Sequence, residues 1–177
     1  ISEEIGYQRG IAKAHTNMGV SFYYKGNYVE AIESYNKALP ILENLQDSLG
    51  LSIVVGNLAV FYQNNKQYKM AIQATKNALS YLESDDLRGR AALYSNIGNN
   101  YKLMKDYKLA AKYYQISVEI SEKLNDPKQL LMVTLNLGLS YNYQGLFLKA
   151  IKNMQKALDL AELNGFASEI AQINYYM

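Results

Sequence analysis

The chain contains no cysteine, a single histidine and only two prolines. Without thiols it has no disulfide, no thiolate nucleophile and no Cys/His zinc site, so no metal or cofactor is expected. Two prolines in 177 residues, with frequent Ala, Leu, Lys and Glu, point to a mainly helical protein. No apolar run approaches the roughly 20 residues that cross a bilayer, so no membrane insertion by this segment is expected. A formal net charge of +2 is too small to indicate a nucleic-acid partner. Lack of cysteine suits the cytoplasm and an oxidising compartment alike, and the cytoplasm is the expected location.

Enzymatic readings find little support. The adjacent carboxylates Glu3-Glu4 and Asp85-Asp86 fall at expected helix ends, where they cap or complement the helix dipole. No residues of the right type converge on them as an acid–base pair, and there is no glycine-rich phosphate loop. His15 takes a repeat position suited to packing. No catalytic residue is expected, and the chain is read as not an enzyme.

What the chain does contain is a repeat. The pattern Asn-[Met/Leu/Ile]-[Gly/Ala]-x-x-aromatic, with Ala nine residues further on, occurs four times. It runs Asn17-Met18-Gly19 to Phe22 and Ala31, Asn57-Leu58-Ala59 to Tyr62 and Ala71, Asn96-Ile97-Gly98 to Tyr101 and Ala110, and Asn136-Leu137-Gly138 to Tyr141 and Ala150. Successive Asn residues are 40, 39 and 40 apart. Such a period marks an array of supersecondary units that bury their apolar faces against one another.

Each unit divides into two helical segments. In the first, Ile11, Ala14, Met18 and Phe22 recur at 3/4 spacing. Polar breaks follow near Gly26, Lys66, Asp106 and Gly145, where Gly or Asn ends one helix and Asn27 or Asp106 caps the next. The aromatic that comes next each time (Tyr28, Tyr68, Tyr107, Phe147) is expected as a wedge between the paired helices. Ala31, Ala71, Ala110 and Ala150 are expected at the close contact of each pair. Asp126-Pro127-Lys128-Gln129 reads as a helix start, with Asp as cap and Pro first in the helix. Pro40 predicts a kink or an early end of its helix.

These motifs resemble the tetratricopeptide repeat family: a large residue, Leu-Gly, Tyr, Ala, an aromatic and Ala at the family's spacings, over the whole chain. Ala59, Thr75, Met154 and Ser117 are the departures. The units are about six residues longer than the family's standard 34. Such long repeats are similar to those of kinesin light chains, bacterial peptide-sensing regulators, aspartyl-phosphate phosphatases and sensor kinases. The resemblance implies an all-α, right-handed superhelical solenoid of antiparallel helix pairs. Read in that register, residues 1–177 are a single array and a fragment of a longer protein. Residues 1–10 end a preceding repeat, 11–50, 51–89, 90–129 and 130–169 are four repeats, and 170–177 begin another.

The resemblance also places the first helix of each unit on a concave surface that receives a protein or peptide segment. The Asn at 17, 57, 96 and 136 sits one residue before the packed Leu/Gly pair, about 100° round the helix towards that groove. A carboxamide offers donor and acceptor side by side, and so can pair with a peptide bond without reading its side chain. The expected groove residues are Lys13, Asn17, Tyr24, Asn57, Asn64, Asn96, Asn99, Asn136 and Tyr143. Bracing of neighbouring units by the same asparagines is the competing reading. Lys13, Asn17 and Asn57 resemble part of a clamp for a chaperone's acidic tail, but Ala92 and Asn96 stand where that clamp needs Lys and Arg. The chain is therefore read as a non-catalytic protein- or peptide-binding scaffold, the interaction or sensory region of a larger signalling or regulatory protein. The alternative is a structural module that stacks or dimerises through its repeat ends.

Overall fold

The computed structural model describes residues 2–176 and forms two compact units, Ile1–Glu83 and Ser84–Met177. Ile1 and Met177, and the side chains of Ser2 and Glu3, lie outside the described residues, and with them the reading of the chain ends and of the Glu3-Glu4 pair. Among the described residues there are nine α-helices and no strand. The first unit holds α1 (Ser2–Tyr24), α2 (Tyr28–Asn44), α3 (Ser48–Asn64) and α4 (Tyr68–Tyr81). The second holds α5 (Leu87–Leu103), α6 (Tyr107–Ser121), α7 (Pro127–Asn142), α8 (Phe147–Leu163) and α9 (Ala167–Tyr176). Helices pair as α1/α2 and α3/α4 in one unit and as α5/α6 and α7/α8 in the other. The short turns between partners make each pair antiparallel. α1 runs unbroken through Gly6 and Gly10, so residues 2–10 continue into the first helix of the next repeat and do not form a separate helix tail.

Packing inside each pair follows the small residues of the repeat. Ala31, Ala71 and Ala110 are fully buried, and Ala150 nearly so. Beside them, a Cβ added to Gly19 would come within 2.5 Å of the Tyr35 ring, and one added to Gly98 within 2.7 Å of the Tyr114 ring. Gly138 faces Met154 in the same way. At the equivalent positions of the second repeat stand Ala59 and Thr75, a slightly larger residue and a much smaller one, both buried. The first-helix position thus stays small, Gly or Ala, in all four repeats, while the second-helix position varies from Tyr to Met to Thr. The first unit gathers Tyr35, Leu42, Leu51 and Val54 into its core. The second has two clusters, around Tyr114, Val133 and Leu137 and around Leu131, Met154 and Ile173.

The turns use αL residues. Gly26 and Gly145 have φ of 80° and 73°, and Lys66 and Lys105 take the same conformation at the corresponding positions, with φ of 59° and 61°. Asp47, Asp86, Asp106 and Asp126 cap α3, α5, α6 and α7, each accepting a backbone N–H at 2.9–3.1 Å. Three sequence expectations need correction. Asn27 makes no side-chain cap bond to α2. Pro40 does not end α2, which continues to Asn44. Its ring faces solvent, where one missing hydrogen bond is tolerable because water satisfies the freed carbonyl. Tyr28 and Phe147 are 46% and 62% exposed, so neither is a buried wedge. Tyr28 instead lies tilted against Tyr23 and edge-on to Phe61, and Tyr107 stacks on Tyr143.

Candidate functional site: two equivalent valleys between first helices

In each unit the first helices of its two repeats frame a valley. In the first unit, Arg9, Lys13, Thr16 and Asn17 of α1 face Leu49, Gly50 and Ile53 of α3 across a pocket of about 260 Å³. In the second, Ala92, Ser95 and Asn96 of α5 face Lys128, Gln129 and Met132 of α7 across about 430 Å³. The two sets correspond residue for residue at the separation of Asn17 from Asn96: Lys13 with Ala92, Thr16 with Ser95, Leu49 with Lys128, Ile53 with Met132. Asp47 and Asp126 occupy equivalent places at the rims. Each caps the following helix and pairs with an equivalent arginine, Arg9 to Asp47 at 3.2 Å and Arg88 to Asp126 at 3.5 Å. The arginines are largely exposed, so these pairs contribute about 0–1 kcal/mol each and serve more to set the rim's shape and charge.

The asparagines at the repeat position divide by environment. Asn17 is exposed, and Asn57 and Asn96 are half-buried; no protein hydrogen bond engages their carboxamides among the described residues. Asn136 differs, because its Oδ1 accepts a hydrogen bond from Lys102 Nζ at 2.9 Å. Asn99 accepts from the hydroxyl of Tyr114 at 2.6 Å, and Asn64 Nδ2 donates to the Tyr23 hydroxyl. Tyr24 is 83% exposed beside Tyr23, while Tyr143 lies on Tyr107 with ring centroids 4.7 Å apart. Lys13 is exposed at the first pocket. Asn17 and Lys13 thus share one valley and Asn96, Asn99 and Asn136 line the helices of the other, whereas Asn64, Asn99 and Asn136 also brace protein groups.

Burial tunes two groups here. Tyr114 is fully buried, and desolvation raises its phenol well above the ordinary range, so it remains a neutral donor to Asn99. Burial pushes the Lys102 ammonium below the usual lysine range. The arginine–aspartate rims and the Lys102–Asn136 bond were missed from sequence; the only local signal was a cation eight residues before Asn17 and before Asn96.

No helix among the described residues is long and apolar enough to cross a membrane. Models described as tetratricopeptide repeat match residues 12–45 and 89–163. Among curated proteins, the transcriptional activator NprA of Geobacillus stearothermophilus is 25% identical over 115 residues, 65% of this chain and 28% of the activator. Among solved structures, BtubC (BKLC) from P. vanneervenii aligns with a TM-score of 0.78 at 25% identity, covering 87% of this chain and 65% of that one. Aspartyl phosphate phosphatase F from Bacillus subtilis aligns with a TM-score of 0.80 at 19% identity, covering 99% of this chain and 48% of that one. The chain therefore spans less than two thirds of the length of each of these relatives.

Proposed function

Since the chain belongs to the tetratricopeptide repeat family, whose all-α repeat arrays are protein-interaction scaffolds, we propose that it binds an extended segment of a partner protein along the valleys between its first helices. The observation that carries this reading is the equivalence of the two pockets, each with a carboxamide, Asn17 or Asn96, that no protein group engages. An extended peptide has one donor and one acceptor per residue, which a carboxamide matches in pairs. The exposed apolar groups Leu49, Ile53 and Met132 give the same floors contact area for side chains. In this reading Lys13, Tyr24, Asn57, Asn64, Asn99, Asn136 and Tyr143 complete the groove. The chain acts without catalysis in this reading, and Asp47, Asp86, Asp106 and Asp126 serve as helix caps. It serves in the cytoplasm as the interaction region of a larger regulatory protein, a role for which the match to a transcriptional activator is the support.

The test begins with a peptide selected from a random displayed library on the wild-type protein. Replacing Asn17 and Asn96 by Ala should weaken a peptide held in either valley about 2- to 13-fold, from about 0.5–1.5 kcal/mol for the one hydrogen bond lost there, with an unchanged melting temperature. Unchanged affinity with a lowered melting temperature would assign both asparagines to structure.

A second reading, self-association, has one observation in its favour. Met18 is 47% exposed, although Leu58 and Leu137 at the same repeat position are buried. Sedimentation equilibrium decides it: a dimer that Met18→Lys converts to monomer supports association through α1.

A further inference from the structure

The turns inside the third and fourth repeats break a pattern that the second repeat keeps. Between its helices the second repeat has Asn64-Asn65-Lys66-Gln67, polar throughout. The third repeat puts Leu103 and Met104 at the places of Asn64 and Asn65. The fourth puts Leu146 and Leu148 at the places of Gln67 and Lys69. All four apolar residues are exposed, Leu148 by 87%. Leu146 is the N-cap of α8 and makes no cap bond, whereas its counterpart Asp106 caps α6. A leucine there forfeits the capping hydrogen bond and gains no burial in exchange. With Phe147 between them, Leu146 and Leu148 form a run of exposed apolar residues that neither packing nor capping selects. Phe147 itself carries less weight, since its counterpart Tyr107 is stacked on Tyr143 of the following repeat.

The two tips are held side by side. Tyr107 stacks on Tyr143, and Gln144 Nε2 donates to the Tyr107 carbonyl at 3.0 Å. The α5/α6 and α7/α8 turns therefore make one edge of the second unit. That edge is also basic. Lys105 lies in the first of these turns, and Lys108, Lys112, Lys149 and Lys152 lie in the first two turns of α6 and α8. All five are exposed, and none is ion-paired among the described residues. The one carboxylate at this edge, Asp106, is engaged as a cap. Glu119, Glu122, Asp159 and Glu162 lie towards the opposite ends of α6 and α8.

We propose that this edge docks on the surface of an anionic lipid bilayer, with Leu103, Met104, Leu146 and Leu148 set among the headgroups. The protein would lie on the membrane without crossing it, as the lack of a spanning helix among the described residues requires. Apolar side chains projecting from turns suit the boundary between headgroups and acyl chains, and surrounding lysines suit anionic headgroups. A protein ligand is better received by a concave surface, and the pocket of this unit lies away from the edge, around Asn96 and Lys128. The cations are all lysines, whereas bidentate pairing with protein carboxylates favours arginine, and Arg88 and Arg90 are at the far end of α5. Two copies meeting through the same edge would set its lysines against each other.

The experiment is co-sedimentation of the whole chain with phosphatidylcholine vesicles, alone or containing about one-third phosphatidylglycerol, at low and high salt. Binding is expected to the anionic vesicles only, and to weaken as salt rises. Leu146→Asn combined with Leu148→Gln leaves the charge unchanged and should weaken vesicle binding about tenfold. Its melting temperature should not fall, because Asn is a better N-cap than Leu. Lys149→Gln combined with Lys152→Gln should weaken binding about 30-fold at low salt. The chain has no tryptophan, so Leu148→Trp adds a single reporter. Its emission should shift to the blue with anionic vesicles and stay unchanged with soluble poly-L-glutamate. No binding to anionic vesicles, equal binding to neutral ones, or full binding by the leucine double variant would each overturn the proposal. A tryptophan shift as large with poly-L-glutamate would give the edge to an acidic protein and overturn the lipid assignment. So would self-assembly of the protein alone that the leucine double variant abolishes, which would give the edge to a second copy.

Discussion

Gly98 lies against the ring of Tyr114, so close that a Cβ there would meet the ring at 2.7 Å. Tyr114 is fully buried and bonded to Asn99, so the ring has no free direction in which to retreat. Gly98→Ala should therefore lower stability by about 1–3 kcal/mol, the usual cost of overpacking, in urea unfolding followed by circular dichroism. The second repeat suggests the remedy, since Ala59 and Thr75 stand there at the positions of Gly98 and Tyr114. Adding Tyr114→Thr to Gly98→Ala should be less destabilising than the two single changes together, and strict additivity would show that the contact is not where the energy lies.

Lys105 holds a left-handed backbone with φ of 61°. Lys105→Gly removes the Cβ clash of that conformation, partly offset by glycine's greater freedom in the unfolded chain. A gain of about 0.5–1 kcal/mol is expected, read from the denaturation midpoint, and Lys66→Gly should behave alike. A loss at both sites would show that these lysines contribute packing that their exposure does not suggest.

Ala110 is fully buried between α5 and α6. Ala110→Leu should cost about 1–3 kcal/mol and lower the melting temperature. An unchanged midpoint would misplace the register of the pair.

Asp126 caps α7 and also meets Arg88 at the valley rim. Asp126→Ala should cost about 0.5–2 kcal/mol through the lost cap, whereas Arg88→Ala should cost no more than about 1 kcal/mol, because Arg88 is largely exposed. The two variants measured side by side separate cap from ion pair.

Much of the fold was legible because the repeat states its own packing. The alanines at 31, 71, 110 and 150 return at one spacing, and burial at a helix contact is the one role that explains four small residues in a row of large ones. The breaks near residues 26, 66, 106 and 145 were legible for the same reason. What sequence could not show was where a repeated residue meets something unrepeated. Tyr28 and Phe147 share a register position with Tyr107, yet their exposure depends on which ring lies opposite. Lys66 and Lys105 stand where glycine was the natural expectation, because four residues of context hold the turn regardless of the penalty. That Asn17, Asn57, Asn96 and Asn136 stand on the first helices of the four repeats followed from spacing alone. The Lys102–Asn136 bond joins residues 34 apart on two helices, and no one-dimensional pattern distinguishes it from two solvated side chains.

The central claim is that the valleys between first helices are the binding surface. Amide hydrogen exchange of the protein with and without a library-selected peptide tests it most directly. The account predicts added protection along α1 and α3 or along α5 and α7, with α2, α4, α6 and α8 unchanged. Protection confined to those second helices, or to α9, would contradict it.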